Sequence, residues 1–208
     1  MLVARLRRGI AVKVAAGLLA LGCAGAAFAA DIPDAAPPAR EPVRQLVFEP
    51  DALYHPERWE VRGGGFYHCC FVESGHTALG GEIVLPRLIA PPSWLHEFFI
   101  PRIHVGGVAD LNGGTSYGFA GLLFTLNITN RIFAEPFVGI AVSDGVAAGD
   151  LKHNAIGCTT LIHSGGNIGY RFDEHWSVMA TLDHISNGNI CSRNVGVNNY
   201  GGKIGYSF

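Results

Sequence analysis

His184, Ser186 and Asn187 stand together in the run DHISNGNI, late in a chain that ends on GYSF. In a β-strand, residues two apart share a face and their Cβ atoms approach within about 7 Å. At that distance an imidazole nitrogen can take the proton of a serine hydroxyl and turn it into a nucleophile. A third group is then needed to orient the imidazole and stabilise its charged form. The same residues also make ordinary strand and turn composition, SNGN being a common turn sequence. Which chemistry applies depends on the elements that carry them.

The chain opens with Arg5, Arg7, Arg8 and Lys13, an apolar small-residue stretch over 14–28 and a small-x-small site at 27–29. This is the pattern of a secretory signal peptide, assigned to residues 1–30. Lipidation at Cys23 is a minor alternative, because ALGC lacks the usual leucine three places earlier. Residues 31–57 hold Pro33, Pro37, Pro38, Pro42, Pro50 and Pro56 without apolar periodicity, which predicts an extended periplasmic arm. Removing the signal leaves eleven Lys and Arg against seventeen Asp and Glu, a net charge of −6. That balance argues against a nucleic-acid partner, which would call for a basic face.

From residue 58 to 208 the chain is rich in glycine and aromatics and falls into eight alternating segments, at 59–72, 78–86, 99–110, 116–129, 131–144, 161–172, 175–188 and 198–208. In 131–143 the even positions are Ile132, Ala134, Pro136, Val138, Ile140 and Val142, while the odd ones include Arg131, Glu135 and Ser143. In 162–172, Ile162, Ile168, Tyr170 and Phe172 oppose His163, Asn167 and Arg171; in 99–110, Phe99, Ile103 and Val105 oppose Arg102, His104 and Asp110. A soluble barrel would turn the apolar set inward and a transmembrane barrel would turn it out to lipid. Strand lengths suited to a tilted span, the alternation of tight (129–131, 172–175) with long (144–161, 188–198) connections, and an aromatic terminal strand favour the membrane. The expected fold is therefore all-β, an eight-stranded antiparallel transmembrane β-barrel with polar residues in its lumen, His104, Arg102, Glu135 and Arg171 among them.

In this frame the strand holding Trp176, Val178, Ala180 and Leu182 continues in register to His184 and Ser186. Both side chains then lie on the lipid face near the extracellular end, and Asp183 points into the lumen. The neighbouring final strand offers Asn198 on its outward set as the orienting residue. Asn187 could donate its side-chain amide to an oxyanion.

HISN late in such a barrel, the following NVGVNN and the terminal aromatic strand resemble the outer-membrane lipid A 3-O-deacylases of the PagL type, firmly over 157–208 and loosely elsewhere. The resemblance implies a serine esterase of the bacterial outer membrane that hydrolyses the ester-linked 3-position acyl chain of lipid A in lipopolysaccharide. It assigns His184 as base, Ser186 as nucleophile and Asn187 as oxyanion contributor. Where this sequence has Asn198, the family carries a glutamate. Asparagine can orient a histidine but supplies no charge to an imidazolium. The competing function is a non-catalytic barrel that stabilises the envelope or binds partners through its loops.

Export permits disulfides. Cys158 and Cys191 fall in long loops on the same side of the barrel, so a bridge between them is expected, two free thiols being the alternative. His68, Cys69, Cys70 and His76 alternate in direction and give no tetrahedral spacing, so neither a metal nor any other cofactor is expected. The sequence leaves a homodimer open.

Overall fold

A computed structural model describes residues 53–89 and 98–208. The signal segment and residues 31–52 of the arm lie outside the described residues. Nine strand segments form the sheet: β1 (Glu60–Cys69), β2 (Thr77–Val84), β3 (Arg102–Asp110), β4 (Tyr117–Leu123), β5 (Leu126–Asn127), β6 (Ile132–Ser143), β7 (Thr160–Arg171), β8 (Trp176–Ser186) and β9 (Val197–Ser207). Every pairing is antiparallel, β1 meets β9, and pairing of β4 with β6 closes the barrel. Closure satisfies the backbone groups that an open edge would leave bare in hydrocarbon.

The expected fourth strand appears as two pieces, β4 and β5, both paired to β6 in one continuous register. Pro136 of β6 faces the gap at Phe124 and accepts from its N–H at 3.0 Å. Having no N–H of its own, it cannot return a ladder bond. The eight-strand reading thus holds, with one proline-induced interruption.

Burial follows the expected parity. Leu182, Ile168, Ile140, Ile204 and Leu79 are all exposed, forming an apolar band around the outside, as lipid requires and water would not favour. Trp59, Tyr170, Phe172, Trp176, Tyr206 and Phe208 gather at the end with the tight turns, where Trp176 and Tyr206 pack at 4.8 Å. Such an aromatic girdle marks a membrane interface.

The lumen is filled by side chains. Near the periplasmic end Arg62 donates to Glu60 (2.8 and 2.9 Å) and Glu135 (2.7 and 3.1 Å), and Arg102 donates to Glu60 at 3.0 Å. Glu82 accepts from Lys203 at 3.0 Å and pairs with His104 at 2.9 Å. Three acids thus face two arginines, a lysine and a histidine, the condition under which buried charges are tolerated. Arg171 stacks on Phe133 and Tyr54, 4.2 and 4.6 Å from their ring centroids. Tyr54, within the expected arm, is buried at the periplasmic opening, where its hydroxyl accepts from Arg87 at 3.2 Å. Burial raises the Tyr54 pKa. Above the charged layer Phe119, Phe137, His104 and His163 stack, with ring centroids 4.3–5.8 Å apart.

Candidate active site

β8 delivers four consecutive residues to opposite sides of the wall. Asp183 and Ile185 are buried in the lumen, 3% and 0% exposed, while His184 and Ser186 are half-buried on the outer face. Asp183 is held there: Tyr117 Oη donates to Oδ1 at 2.6 Å, His163 Nε2 lies 3.0 Å from Oδ2, and Asn199 Nδ2 donates to the Tyr117 hydroxyl at 2.7 Å. Its carboxylate is unavailable to His184, as the alternation requires.

On the outer face Asn198 of β9 is the direct ladder partner of His184, and its Oδ1 lies 2.8 Å from His184 Nδ1. An amide oxygen can only accept. This assignment puts the proton on Nδ1 and leaves the Nε2 lone pair for other work. Ser164 of β7 pairs with His184 from the opposite side and Cys69 of β1 pairs with Asn198, so these four outward residues form one row across the wall.

Gly196 brings the histidine and the serine together. A Cβ on it would lie 3.2 Å from His184 Cε1, 3.3 Å from Ser186 Cβ and 2.7 Å from the Ile185 carbonyl oxygen. Both side chains therefore flank one point, and only a bare backbone fits between them. Its φ of 69° also belongs to the left-handed region, which glycine enters without steric cost. The Gly196 carbonyl accepts from Asn154 Nδ2 at 3.1 Å. Asn154 is 1% exposed and also receives Val72 N–H on Oδ1 and gives its own N–H to Glu73. Gly196 and Asn154 carried no distinctive signal in the sequence beyond the glycine of NVGVNN.

Asn187 corrects an expectation. Its parity is that of Asp183 and Ile185, so the side chain turns inward, is 2% exposed, and donates from Nδ2 to the carbonyls of Ile156 (2.7 Å) and Arg193. Both amide protons are thereby engaged, and its backbone N–H goes to Asn194 Oδ1 at 2.8 Å. The residue shapes the loop rather than offering its amide to the outer face. Beyond it Gly188 and Asn189 reverse the chain with φ of 63° and 64°.

Cys158 and Cys191 are disulfide-bonded, with Cα atoms 6.1 Å apart, and tie the β6–β7 loop to the β8–β9 loop that follows Ser186. Cys69 and Cys70 are free. In the β6–β7 loop the Asp150 carboxylate, 2.9 Å from His153 Nδ1, raises the His153 pKa. Asp150 itself is lowered, first by the Lys152 N–H and then by His153.

No helix among the described residues is long and apolar enough to cross a membrane. A model of the family described as lipid A 3-O-deacylase (PagL) matches residues 91–207. Among solved structures, the outer membrane enzyme PagL superposes with a TM-score of 0.56 at 14% identity, covering 70% of this chain and 97% of that one. The N-terminal β-barrel domain of Pseudomonas aeruginosa OprF gives 0.50 at 13% identity, covering 73% and 98%. A search of curated proteins finds no match. At these identities the structural likeness speaks to the fold alone, whereas the family match spans more than half of the chain. The chain belongs to the lipid A 3-O-deacylase (PagL) family and is an outer-membrane β-barrel of these lipid A hydrolases.

Proposed function

We infer that the protein removes the ester-linked 3-position acyl chain of lipid A by serine esterase chemistry, with His184, Ser186 and Asn198 as its catalytic set. The observation that carries this reading is the 2.8 Å contact between His184 Nδ1 and Asn198 Oδ1 on the lipid face, beside Ser186. Asn198 fixes the imidazole in the tautomer whose Nε2 accepts the Ser186 proton. Ser186 Oγ attacks the ester carbonyl carbon, and the tetrahedral intermediate collapses with release of the sugar alcohol, protonated by His184. Water, activated by the same imidazole, then attacks the acyl-serine, freeing a fatty acid and restoring the hydroxyl.

The surroundings suit such a substrate. Ile162 pairs with Ser186, and Ile140 pairs with Ile162, so exposed apolar side chains flank the serine at its own level. An acyl chain lying in the outer leaflet packs along them while its ester meets Ser186. Because Asn187 faces inward, the oxyanion is assigned to the backbone N–H groups of Gly188 and Asn189, which donate to no acceptor among the described residues. Two converging donors are the usual provision for this intermediate.

The test is mass spectrometry of lipid A from cells producing wild-type protein, Ser186→Ala or His184→Ala. Wild type should release the 3-linked chain and both variants should not, while each barrel keeps its heat-dependent mobility shift on gels. Release by Ser186→Ala would defeat the serine mechanism, and no release by a folded wild type would defeat the esterase reading and leave the structural barrel in its place.

A further inference from the structure

The extracellular mouth holds a second cluster, separate from the outer-face site. His68 is the penultimate residue of β1, Glu73 and His76 lie in the following turn, and Asp110 ends β3. Donor atoms of His68, Glu73 and His76 lie within 4.8 Å of one another. His68 Nδ1 is 3.5 Å from Glu73 Oε2 and 3.4 Å from Asp110 Oδ2, and His76 Nδ1 is 3.2 Å from the same Asp110 oxygen. His68 is 0% exposed, and neither of its ring nitrogens makes a hydrogen bond among the described residues. Buried polar atoms are rarely left so.

We propose that His68, Glu73, His76 and Asp110 form a binding site for a divalent transition-metal cation of the zinc type. The first two distances are long for hydrogen bonds but fit ligands sharing an ion. Bonds of about 2.0–2.2 Å to a tetrahedral centre put neighbouring ligand atoms roughly 3.3–3.6 Å apart. Two imidazoles with two carboxylates favour zinc-class ions over calcium or magnesium, which prefer all-oxygen shells.

The carboxylates are oriented from behind, as metal ligands usually are. Asp110 Oδ1 accepts from the Asn112 and Gly114 N–H groups at 2.8 and 2.6 Å, leaving Oδ2 turned to the histidines. Glu73 takes the Thr115 hydroxyl (2.7 Å) and N–H (2.9 Å) and the Asn154 N–H (2.9 Å). Cys69 and Cys70 take no part; the first faces out beside Asn198 and the second is exposed. The sequence set His68 and His76 beside the two cysteines; the turn instead folds His76 back over His68, so that the rings stack at 6.2 Å and face Glu73 and Asp110. A bound ion would cross-link the β1–β2 turn to β3 and, through Glu73 and Asn154, to the β6–β7 loop.

The full chain, refolded in detergent and stripped with EDTA, is titrated with Co2+ and then Zn2+. Expected are one Co2+ per chain with the visible absorption of a low-coordinate nitrogen–oxygen site, and its displacement by Zn2+. His76→Ala and Asp110→Asn should each weaken binding by about tenfold or more, whereas His175→Ala, at the opposite end of the barrel, should not. These variants avoid the fully buried His68, whose replacement risks misfolding, and the heat-dependent gel shift checks that each is folded. Absence of stoichiometric binding in the folded wild type would overturn the proposal. So would binding that survives both cluster variants, or that His175→Ala abolishes.

Discussion

Asn198 is where the proposed catalytic set can be weighed most directly. Its Oδ1 meets His184 Nδ1 at 2.8 Å, a good neutral hydrogen bond, worth about 0.5–1.5 kcal/mol. If that bond holds the imidazole in its productive tautomer, Asn198→Ala should lower kcat by roughly 2- to 12-fold, at 1.36 kcal/mol per decade. Asn198→Glu works the other way. A hydrogen bond to a charged group is worth about 1.5–3 kcal/mol, and the carboxylate strengthens its hold as the imidazole becomes cationic. The difference of roughly 1–1.5 kcal/mol predicts a gain in kcat of about 5- to 12-fold. The longer side chain has room, because Asn198 is only half-buried and lies on the outer face between His184 and Cys69. The assay is release of the 3-linked acyl chain from lipid A in detergent micelles, for barrels that retain the heat-dependent gel shift. Equal rates for wild type, alanine and glutamate would refute the orienting role.

Gly196→Ala should lower activity tenfold or more and cost about 1–2 kcal/mol in stability, since the methyl presses on the dyad and the backbone φ is left-handed; urea titration and turnover on one preparation check both. Ile168→Arg, on the outward face of β7 opposite Ala180, should destabilise the barrel in lipid by about 2–4 kcal/mol if it lies near the bilayer midplane; an unchanged unfolding midpoint in vesicles would contradict a lipid-facing position. Asp173 accepts the N–H groups of His175 and Trp176 at 2.8 Å each, the Trp176 bond chief among the causes that lower its pKa. A carboxylate lowered on folding stabilises above its unfolded pKa and loses that contribution as pH falls through the folded value. Asp173→Ala should therefore speed opening of the β7–β8 turn in hydrogen exchange at neutral pH, with the difference from wild type vanishing in strong acid.

The barrel was legible because a period of two leaves no latitude: once Ile132 faces lipid, Glu135 must face the lumen, and the observed burial agrees. Asn198 was legible for the same reason, being outward on the strand that follows β8 and so available to His184. Asn187 was misjudged because adjacency to Ser186 was weighed above parity, which continues past the end of β8 and turns the amide inward. The mouth cluster was hidden more deeply. His76 returns over His68 only because Cys70 and Phe71 adopt φ of 78° and 60°, a conformation that ordinary residues seldom enter and that nothing in their side chains announces. Asn154 joins Glu73 to Gly196 across 81 and 42 residues of sequence, contacts that no local pattern encodes.

The two faces of β8 divide the demands on the site. A serine and a histidine exposed to lipid gain little from packing, so their placement has to come from the wall behind them. Asp183 and Ile185 supply it, the first held by Tyr117 and His163, the second 0% exposed in the apolar core with Val197 and Leu161. Because outward and inward residues share one backbone, fixing the inner pair fixes the direction of the outer one, and the ladder bond to β9 sets the distance to Asn198. Pre-organisation of this kind matters most for a substrate embedded in the outer leaflet, which must slide laterally to the site and cannot be enclosed by a cleft. Loosening the inner wall should therefore lower turnover even though no inner residue touches lipid.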